Sequence, residues 1–141
     1  MVGNLCNASP AADSVPAMIA AKAKAVVVSR TGRRTVLVEK IVTGPGQTSL
    51  AKGEVIEAIL LPARPARSGD AYLRFIPRTE MDIAVVGAGV SVSLYPDGSC
   101  ASLRMALGAV APTACLVSEA SDIVVGKKLD ESVLAALATA A

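Results

Sequence analysis

The first third of the chain combines one helical pattern with two strand patterns. Between Pro10 and Lys22 the apolar residues recur at helical spacing with alanine between them, which predicts a short helix with one narrow buried face. The β-branched run in Ala25–Ser29 predicts a strand, and Thr31-Gly32 predicts a tight turn into a second strand over Arg34–Val38. These patterns predict a helix followed by a β-hairpin.

A proline-rich and charged segment then divides the chain. Glu54–Leu61 is a third apolar, strand-like run, and Pro62 ends it. Residues 63–70 contain proline, glycine and charged residues without apolar periodicity, which is typical of a linker. We therefore expect two lobes, residues 1–62 and residues 71–141.

The second half of the chain has the pattern of an antiparallel sheet followed by helices. Strand patterns cover Ala71–Ile76, Ile83–Tyr95 and Ser102–Val110, and a turn signal between the last two predicts an antiparallel meander. Two short helices are predicted after it, at Glu119–Val125 and at Asp130–Thr139. The expected fold class is α+β: a small mixed lobe followed by a three-stranded antiparallel sheet covered by short helices.

Two glycines inside the second of these strands admit two interpretations. Val86-Gly87-Ala88-Gly89 begins like a dinucleotide-binding fingerprint, in which a strand leads into Gly-x-Gly. Val92 replaces the third glycine of that motif, and the apolar alternation continues to Leu94 instead of opening a helix. We therefore interpret the two glycines as places where another part of the chain crosses the sheet closely.

Composition argues against nucleic acid and membrane partners. Hydrophobic residues make up 52% of the chain but aromatic residues only 2%, so the core must be aliphatic and no aromatic platform for stacked bases is present. The net charge is only +2 with dispersed Lys and Arg, and no apolar stretch reaches the roughly 18 residues that a membrane helix needs. We expect neither nucleic-acid binding nor membrane insertion.

The absence of histidine removes several kinds of catalytic and metal site. A Ser-His-Asp triad, a Cys-His dyad and every His-containing metal site are excluded. The three cysteines are odd in number and lack C-x-x-C spacing, which argues against a zinc site, an iron-sulfur site and a secreted disulfide framework. Three reduced thiols indicate a cytoplasmic location, and we expect no metal ligands in this chain.

The highest density of small and polar groups lies in Gly3–Asp13, which has the features of a ligand-binding loop. Gly3 lets the backbone approach a ligand closely, while Asn4 and Ser9 supply donors and acceptors. Pro10 suits the first position of a helix with Ser9 as its N-cap, and such a helix start presents free N–H groups to an anion such as a pyrophosphate. An ordinary capped helix behind a turn, without any ligand, has the same spacing.

Residues Gly3–Ala17 resemble a known flavin-binding motif. They read Gly-Asn-Leu-Cys-Asn-Ala-Ser-Pro-Ala-Ala-Asp-Ser-Val-Pro-Ala and are similar to the second flavin-binding motif of the FAD subunits of molybdenum hydroxylases. That family includes xanthine dehydrogenase, aldehyde oxidase and aerobic carbon monoxide dehydrogenase, and its motif runs Thr-Ile-Gly-Gly-Asn, then Asn-Ala-Ser-Pro, then Asp and Pro at this spacing. Gly53–Pro62 resembles the closing strand of the family's FAD domain, and Leu107–Thr113 resembles an Ala-Leu-Gly-x-Val-x-Pro-Thr segment of its C-terminal domain.

The resemblance implies FAD as the cofactor and assigns its contacts residue by residue. The implied cofactor-binding residues are Gly3, Asn4, Ser9, Asp13, Ile56 and Arg74. Arg74 replaces the family's usual Lys and keeps its positive charge, although the two side chains are not equivalent donors. Because the cofactor carries the chemistry, no side chain here is expected to be catalytic.

The same resemblance implies a domain arrangement. Residues 1–62 correspond to the C-terminal part of an FAD-binding domain, residues 63–70 to a linker, and residues 71–141 to a C-terminal domain without its last helix. Family subunits also carry a preceding α/β lobe with a first Gly-rich motif, of which this sequence has no trace. We therefore expect an internal fragment that binds FAD weakly or not at all by itself.

The resemblance finally implies an oxidoreductase subunit. In the family, electrons pass from a molybdenum centre through two 2Fe-2S clusters on partner chains to FAD, and then to NAD or another acceptor. The implied partners are an iron-sulfur small subunit and a molybdopterin large subunit. The alternative from another class is a truncated, non-catalytic remnant or assembly module that keeps its docking surface and holds no flavin. The sequence names neither the oxidised substrate nor the acceptor.

Overall fold

The computed structural model describes all residues 1–141, which form four α-helices, nine β-strands and one 3-10 turn. The helices are α1 (Val2–Asn7), α2 (Ser14–Ala20), α3 (Glu119–Val124) and α4 (Glu131–Ala140). The strands are β1 (Lys24–Ser29), β2 (Gly32–Leu37), β3 (Val42–Gly44), β4 (Gln47–Thr48), β5 (Val55–Leu60), β6 (Ser68–Phe75), β7 (Val86–Leu94), β8 (Cys100–Gly108) and β9 (Cys115–Leu116). The 3-10 turn covers Val38–Lys40 and follows β2 directly. None of the helices has the length and apolar character needed to span a bilayer.

The first lobe is a three-stranded antiparallel sheet with strand order β2-β1-β5, accompanied by the small β3-β4 hairpin. β1 and β2 form the predicted hairpin, in register from Lys24 opposite Leu37 to Ser29 opposite Gly32. The predicted third strand is present as β5 and pairs with β1. Apolar side chains of α1, α2 and this sheet share one core, which includes Leu5, Val15, Met18, Ile19, Ala25, Val27 and Ile56.

The second lobe is an antiparallel sheet with strand order β6-β7-β8-β9. The predicted three-stranded meander is confirmed as β6, β7 and β8, while the two-residue strand β9 adds a fourth, unpredicted strand along β8. β6 begins at Ser68, so the last three residues of the predicted linker are strand. Both predicted C-terminal helices are present, and Asp130 caps α4 through its carboxylate. Leu103 and Met105 pack with α3 and α4 on one face of the sheet, and the whole arrangement confirms the α+β class.

α2 lies on the opposite face of this sheet and connects the two lobes. Ala106 of β8 belongs to the core that contains α2, whereas Met105, the residue before it, packs in the core that contains α3. A Cβ atom at Gly89 would lie 2.6 Å from the carbonyl oxygen of Pro16, so only glycine lets the helix backbone come this close. The interpretation of Gly89 as a close crossing is confirmed. At Gly87 the near atoms belong instead to the side chain of Tyr72 on the adjacent strand, so the interpretation of Gly87 as a place where another part of the chain crosses the sheet is wrong.

Candidate functional site

The segment Gly3–Asp13 is a short helix followed by a turn, so the prediction of a ligand-binding loop over its whole length is wrong. Residues up to Asn7 belong to α1, which the fully buried side chain of Leu5 anchors in the core. Ala8 ends this helix in the left-handed conformation, with a φ of 51°. The polar groups that the sequence places in one loop are therefore divided between a helix and the turn at residues 8–13.

The predicted helix start at Ser9 and Pro10 is also wrong, because α2 begins at Ser14 with Asp13 in the N-cap position. Ser9 Oγ accepts a hydrogen bond from the backbone N–H of Ala11 at 3.3 Å, which stabilises the turn and not a helix end. Asp13 makes no side-chain capping bond within α2, and its two carboxylate oxygens bond to residues of β6 instead. The helix start therefore carries an acidic group whose partners lie in the other lobe.

The carboxylate of Asp13 joins the start of α2 to β6. Its Oδ1 accepts a hydrogen bond from the Tyr72 hydroxyl at 2.9 Å, and its Oδ2 accepts one from Arg74 Nη1, also at 2.9 Å. Tyr72 and Arg74 are two positions apart on β6, so both side chains project from the same face of the sheet. Asp13 and Arg74, to which the resemblance assigns separate flavin contacts, thus form an ion pair with each other.

Arg74 is held from two sides. Its Nη2 donates to the side-chain Oε2 and to the backbone carbonyl of Glu80, both at 2.8 Å. The side chain is 23% exposed, and the bond to Glu80 together with the charge of Asp13 raises the pKa of Arg74 above its ordinary value. Burial and the bond to Asp13 raise the pKa of Tyr72 to about 12. At neutral pH the site therefore holds the Arg74 cation between the carboxylates of Asp13 and Glu80, beside a neutral phenol.

One further contact extends this arrangement to α1. Asn4 Nδ2 donates to Ser14 Oγ at 3.0 Å, immediately beside Asp13 in the chain. We call the six residues joined in this way the Asp13 cluster: Asn4, Asp13, Ser14, Tyr72, Arg74 and Glu80. A Cβ atom at Gly3 would meet nothing within 4 Å, so the backbone of α1 is open to a ligand at that point.

A mostly apolar cavity of about 290 Å³ lies beside the Asp13 cluster, between α2 and β6. Apolar side chains such as Met18 and Leu61 line it, and its polar lining residues are Ser14, Asp70 and Tyr72. Cofactor pockets combine an apolar interior with a small number of polar groups that fix orientation. The residues present fit part of an FAD molecule, because the apolar walls suit a flat ring and the Asp13 cluster offers polar contacts to the groups attached to it.

Ile56 does not join the Asp13 cluster through its side chain. That side chain is only 8% exposed and lies in the core of the first lobe, where it packs with Val27. β5 is an edge strand of its sheet, so one row of its backbone groups has no strand partner. A flavin contact at Ile56 would use this backbone.

Sequence reasoning missed three members of the Asp13 cluster: Tyr72, Ser14 and Glu80. Tyr72 carries a usable signal, because a residue two positions before Arg74 on a strand shares its face. Ser14 directly follows Asp13 but has no distinguishing pattern. Glu80 lies in the connection after β6, and only the fold returns its carboxylate to Arg74.

The fold and the site together define a two-lobe α+β protein with a polar cluster and an apolar cavity where α2 meets the second sheet. A family model for the FAD binding domain in molybdopterin dehydrogenase matches residues 1–64, and one for the CO dehydrogenase flavoprotein C-terminal domain matches residues 71–141. The chain belongs to the family of FAD-binding medium subunits of the molybdenum hydroxylases. The resemblance to this oxidoreductase family, and FAD as the family's cofactor, are confirmed.

Individual relatives cover most of this chain. It is 35% identical over 112 residues to the xanthine dehydrogenase FAD-binding subunit of Escherichia coli O157:H7, a match that covers 79% of this chain and 38% of the relative. It is 30% identical over 139 residues to the 6-hydroxypseudooxynicotine dehydrogenase complex subunit alpha of Paenarthrobacter nicotinovorans. This match covers 99% of this chain and 47% of the relative. The structure of reconstituted CO dehydrogenase from Oligotropha carboxidovorans matches with a TM-score of 0.90 at 29% identity, over 99% of this chain and 48% of that chain. This chain therefore spans less than half the length of these three relatives.

Proposed function

We propose that the chain forms part of the FAD-binding, electron-transfer subunit of a xanthine dehydrogenase or carbon monoxide dehydrogenase type of molybdenum hydroxylase. The observation that carries this proposal is the convergence of Asn4, Asp13 and Arg74 beside one apolar cavity, although the three residues belong to separate parts of the chain. Their hydrogen-bond partners Ser14 and Tyr72 line that cavity. The cluster thus supports a ligand surface independently of the sequence motif.

Asp13 is suited to bind a hydroxyl group of the cofactor, such as one on a ribose. Each of its carboxylate oxygens accepts one hydrogen bond from the protein, and a carboxylate oxygen has a second lone pair to offer. The side chain is 42% exposed, so a ligand can reach these remaining acceptor positions. Tyr72 and Arg74 fix the direction in which those lone pairs point.

The remaining assigned contacts are made by small or backbone groups. Gly3 and Asn4 offer an open stretch of α1, Ser9 offers a hydroxyl from the turn, and Ile56 offers the edge backbone of β5. None of these residues needs to donate or accept a proton in a chemical step. Their role is to bind and orient the cofactor.

Arg74 supplies a guanidinium to the site, but Asp13 and Glu80 both pair with it, so the three side chains together carry a net negative charge. When bound, FAD accepts electrons and passes them on to an acceptor. A guanidinium stabilises negative charge that develops on the ring through N–H donors that are already held in place, and not through a net positive charge of the site. Asp13 and Glu80 hold the Arg74 guanidinium in this way.

The electron route and the partners follow from the family. We propose that electrons reach FAD from iron-sulfur clusters on a small subunit, which receives them from a molybdopterin large subunit, and that NAD or another acceptor takes them. Residues 1–62 would contribute to the FAD-binding domain, residues 63–70 would link it, and residues 71–141 would form the C-terminal domain. The name of one relative as a dehydrogenase complex subunit supports a multi-subunit assembly. The three free cysteines support a cytoplasmic location.

Equilibrium dialysis with FAD from micromolar to millimolar concentrations tests the proposal. We expect the wild-type chain to bind saturably and Asp13→Ala to bind about fivefold to 150-fold more weakly, the effect of about 1 to 3 kcal/mol from a lost polar partner. Asp122→Ala, an exposed acid on α3, is the matched control and should bind like the wild type. Equal affinities for the two variants would exclude Asp13 from the site. Absence of saturable binding would favour the non-catalytic remnant or assembly module.

A further inference from the structure

The turn at residues 8–13 is held by backbone contacts from both lobes. Gly46, in the turn between β3 and β4, donates its N–H to the carbonyl oxygen of Ala8 at 3.0 Å. Ala109, directly after β8, donates its N–H to the carbonyl oxygen of Pro10 at 2.9 Å. The second lobe therefore helps to set the position of a turn that belongs to the first lobe.

Gly108 permits this contact because it has no side chain. A Cβ atom there would lie 2.6 Å from Cγ and 3.5 Å from Cδ of Pro16, and 3.7 Å from the carbonyl oxygen of Pro10. The first distance is a steric overlap, whereas the last is ordinary van der Waals contact. With proline at position 16, the end of β8 can approach α2 this closely only when residue 108 is glycine.

We propose that Gly108 and Ala109 are positioning residues for the FAD site: they fix the turn at residues 8–13 and the start of α2, and thereby the place of Asp13, without contacting the cofactor. This inference rests on the proposed function, since it concerns the same site. It gives the Leu107–Thr113 segment a specific task, which is to shape a ligand surface that lies in the other lobe.

The geometry transmits a displacement at Pro16 to the Asp13 cluster. Pro16 lies three residues after Asp13, in the first turn of α2, so the two move together. The bonds from Asp13 to Tyr72 and Arg74 are each 2.9 Å long. A shift of about half an ångström takes them beyond the usual limit of about 3.2 Å, and the carboxylate then loses its fixed direction.

Five variants separate the role of Gly108 from a general effect of filling a glycine. Gly108→Ala creates the overlap with Pro16. The combination with Pro16→Ala removes the overlapping Cγ together with Cδ, so that the nearest remaining neighbour of the new methyl group is the carbonyl oxygen of Pro10, 3.7 Å away. Gly89→Ala overlaps with backbone atoms of α2, which Pro16→Ala does not move. Gly69→Ala is the matched control on β6, since its Cβ atom would meet nothing within 4 Å.

Equilibrium dialysis with FAD measures the effect on the site. We expect Gly108→Ala to bind FAD about tenfold more weakly than the wild type, the order of effect expected when one charge-assisted hydrogen bond is lost. Adding Pro16→Ala to Gly108→Ala should restore the affinity to within about threefold of the wild type, whereas adding it to Gly89→Ala should restore nothing. Gly69→Ala should bind normally. Equal binding by Gly108→Ala and the wild type, or a double variant no better than Gly108→Ala, would overturn the inference.

Amide NMR spectra recorded without FAD keep this inference separate from the proposed function. If Gly108 positions the turn, the amide signals of residues 11–14 shift in Gly108→Ala and return in the double variant, whether or not the chain binds FAD. Unchanged signals in Gly108→Ala overturn the positioning role even if FAD binds well. If Gly108→Ala fails to fold, recovery of a folded spectrum on adding Pro16→Ala supports the inference, and failure of the double variant to fold overturns it.

Discussion

Replacing Arg104 by methionine tests how firmly the second lobe is attached to the first. Arg104 lies on β8, and its Nη2 donates to Glu39 Oε2 at 2.8 Å and to the carbonyl oxygen of Ile19 at 3.2 Å. Ile19 lies near the end of α2, and Glu39 lies in the 3-10 turn of the first lobe. Methionine keeps an unbranched apolar side chain but removes every donor, so Glu39 loses its cation.

The burial of the pair sets the size of the expected effect. The side chains of Arg104 and Glu39 are 28% and 23% exposed, so the pair is intermediate between a surface pair and a buried one. Surface pairs contribute about 0 to 1 kcal/mol, and hydrogen bonds to charged groups about 1.5 to 3 kcal/mol. The Ile19 carbonyl keeps a bond from the Lys22 N–H at 3.0 Å, so its share of the loss is small. We expect Arg104→Met to lower the free energy of unfolding by about 2 kcal/mol, which corresponds to a fall in melting temperature of about 6 °C.

Urea unfolding followed by far-ultraviolet circular dichroism measures this loss, because the chain has no tryptophan for fluorescence. Arg30→Met is the matched control, since Arg30 is exposed, and it should change the free energy of unfolding by less than about 0.5 kcal/mol. Glu39→Gln combined with Arg104→Met leaves no unpaired charge, so the double variant should be at least about 1 kcal/mol more stable than the two single losses together imply. A loss below about 0.5 kcal/mol for Arg104→Met, or strict additivity in the double variant, would refute the reasoning.

Glu54 and Tyr72 make the stability of the chain depend on pH in opposite directions. The hydrogen bonds from Arg34 lower the pKa of Glu54 from 4.5 to about 2, so the stability gained from this pair is present above pH 4.5 and is lost as the pH falls towards 2. Glu54→Gln should therefore flatten the fall of melting temperature over that window, and an unchanged slope would contradict the pairing. Burial and the bond to Asp13 raise the pKa of Tyr72 from 10.0 to about 12, so its contribution is full below pH 10 and is lost as the pH rises towards 12. Tyr72→Phe should be less stable by about 1 kcal/mol at neutral pH but lose less between pH 10 and 12, and alkaline slopes equal to those of the wild type would exclude the Asp13 bond.

Elements with strong local patterns are predictable from this sequence. The β1–β2 hairpin is predictable because a β-branched run, a turn dipeptide and a second run follow one another directly. β7 and β8 are long enough for their alternation to outweigh the glycines within β7. Gly89 is predictable as a close crossing. A glycine weakens the interior of a strand, and its presence there often marks a place where another backbone approaches closely.

α1 and the start of α2 depend on tertiary contacts that leave no periodic signal. α1 has six residues and one buried side chain, Leu5, while its Gly and Asn residues are weak helix formers, so packing decides the conformation. The start of α2 at Ser14 depends on contacts with the other lobe, because the carboxylate of Asp13, the residue before it, bonds to Tyr72 and Arg74 of β6. The fourth strand of the second sheet has only two residues and is too short to form a pattern.

The candidate site is only partly accessible from the sequence for the same reason. The resemblance points to Asp13 and Arg74 one at a time, on the strength of their motif positions. Their ion pair depends on α2 crossing the second sheet at Gly89 and Gly108. The spacing of residues along the chain does not predict this crossing. The return of Glu80 to Arg74 depends on the path of the connection after β6.

The central claim is that FAD binds where α1, α2 and β6 meet. Chemical-shift mapping by two-dimensional amide NMR, during titration of the 141-residue chain with FAD, tests this claim directly and responds even to millimolar binding. We predict saturable shifts that are largest in Gly3–Asp13 and around Arg74, with α3 and α4 unaffected. Absence of saturable shifts at millimolar FAD, or shifts confined to residues outside α1, the turn at residues 8–13, α2 and β6, would contradict the claim.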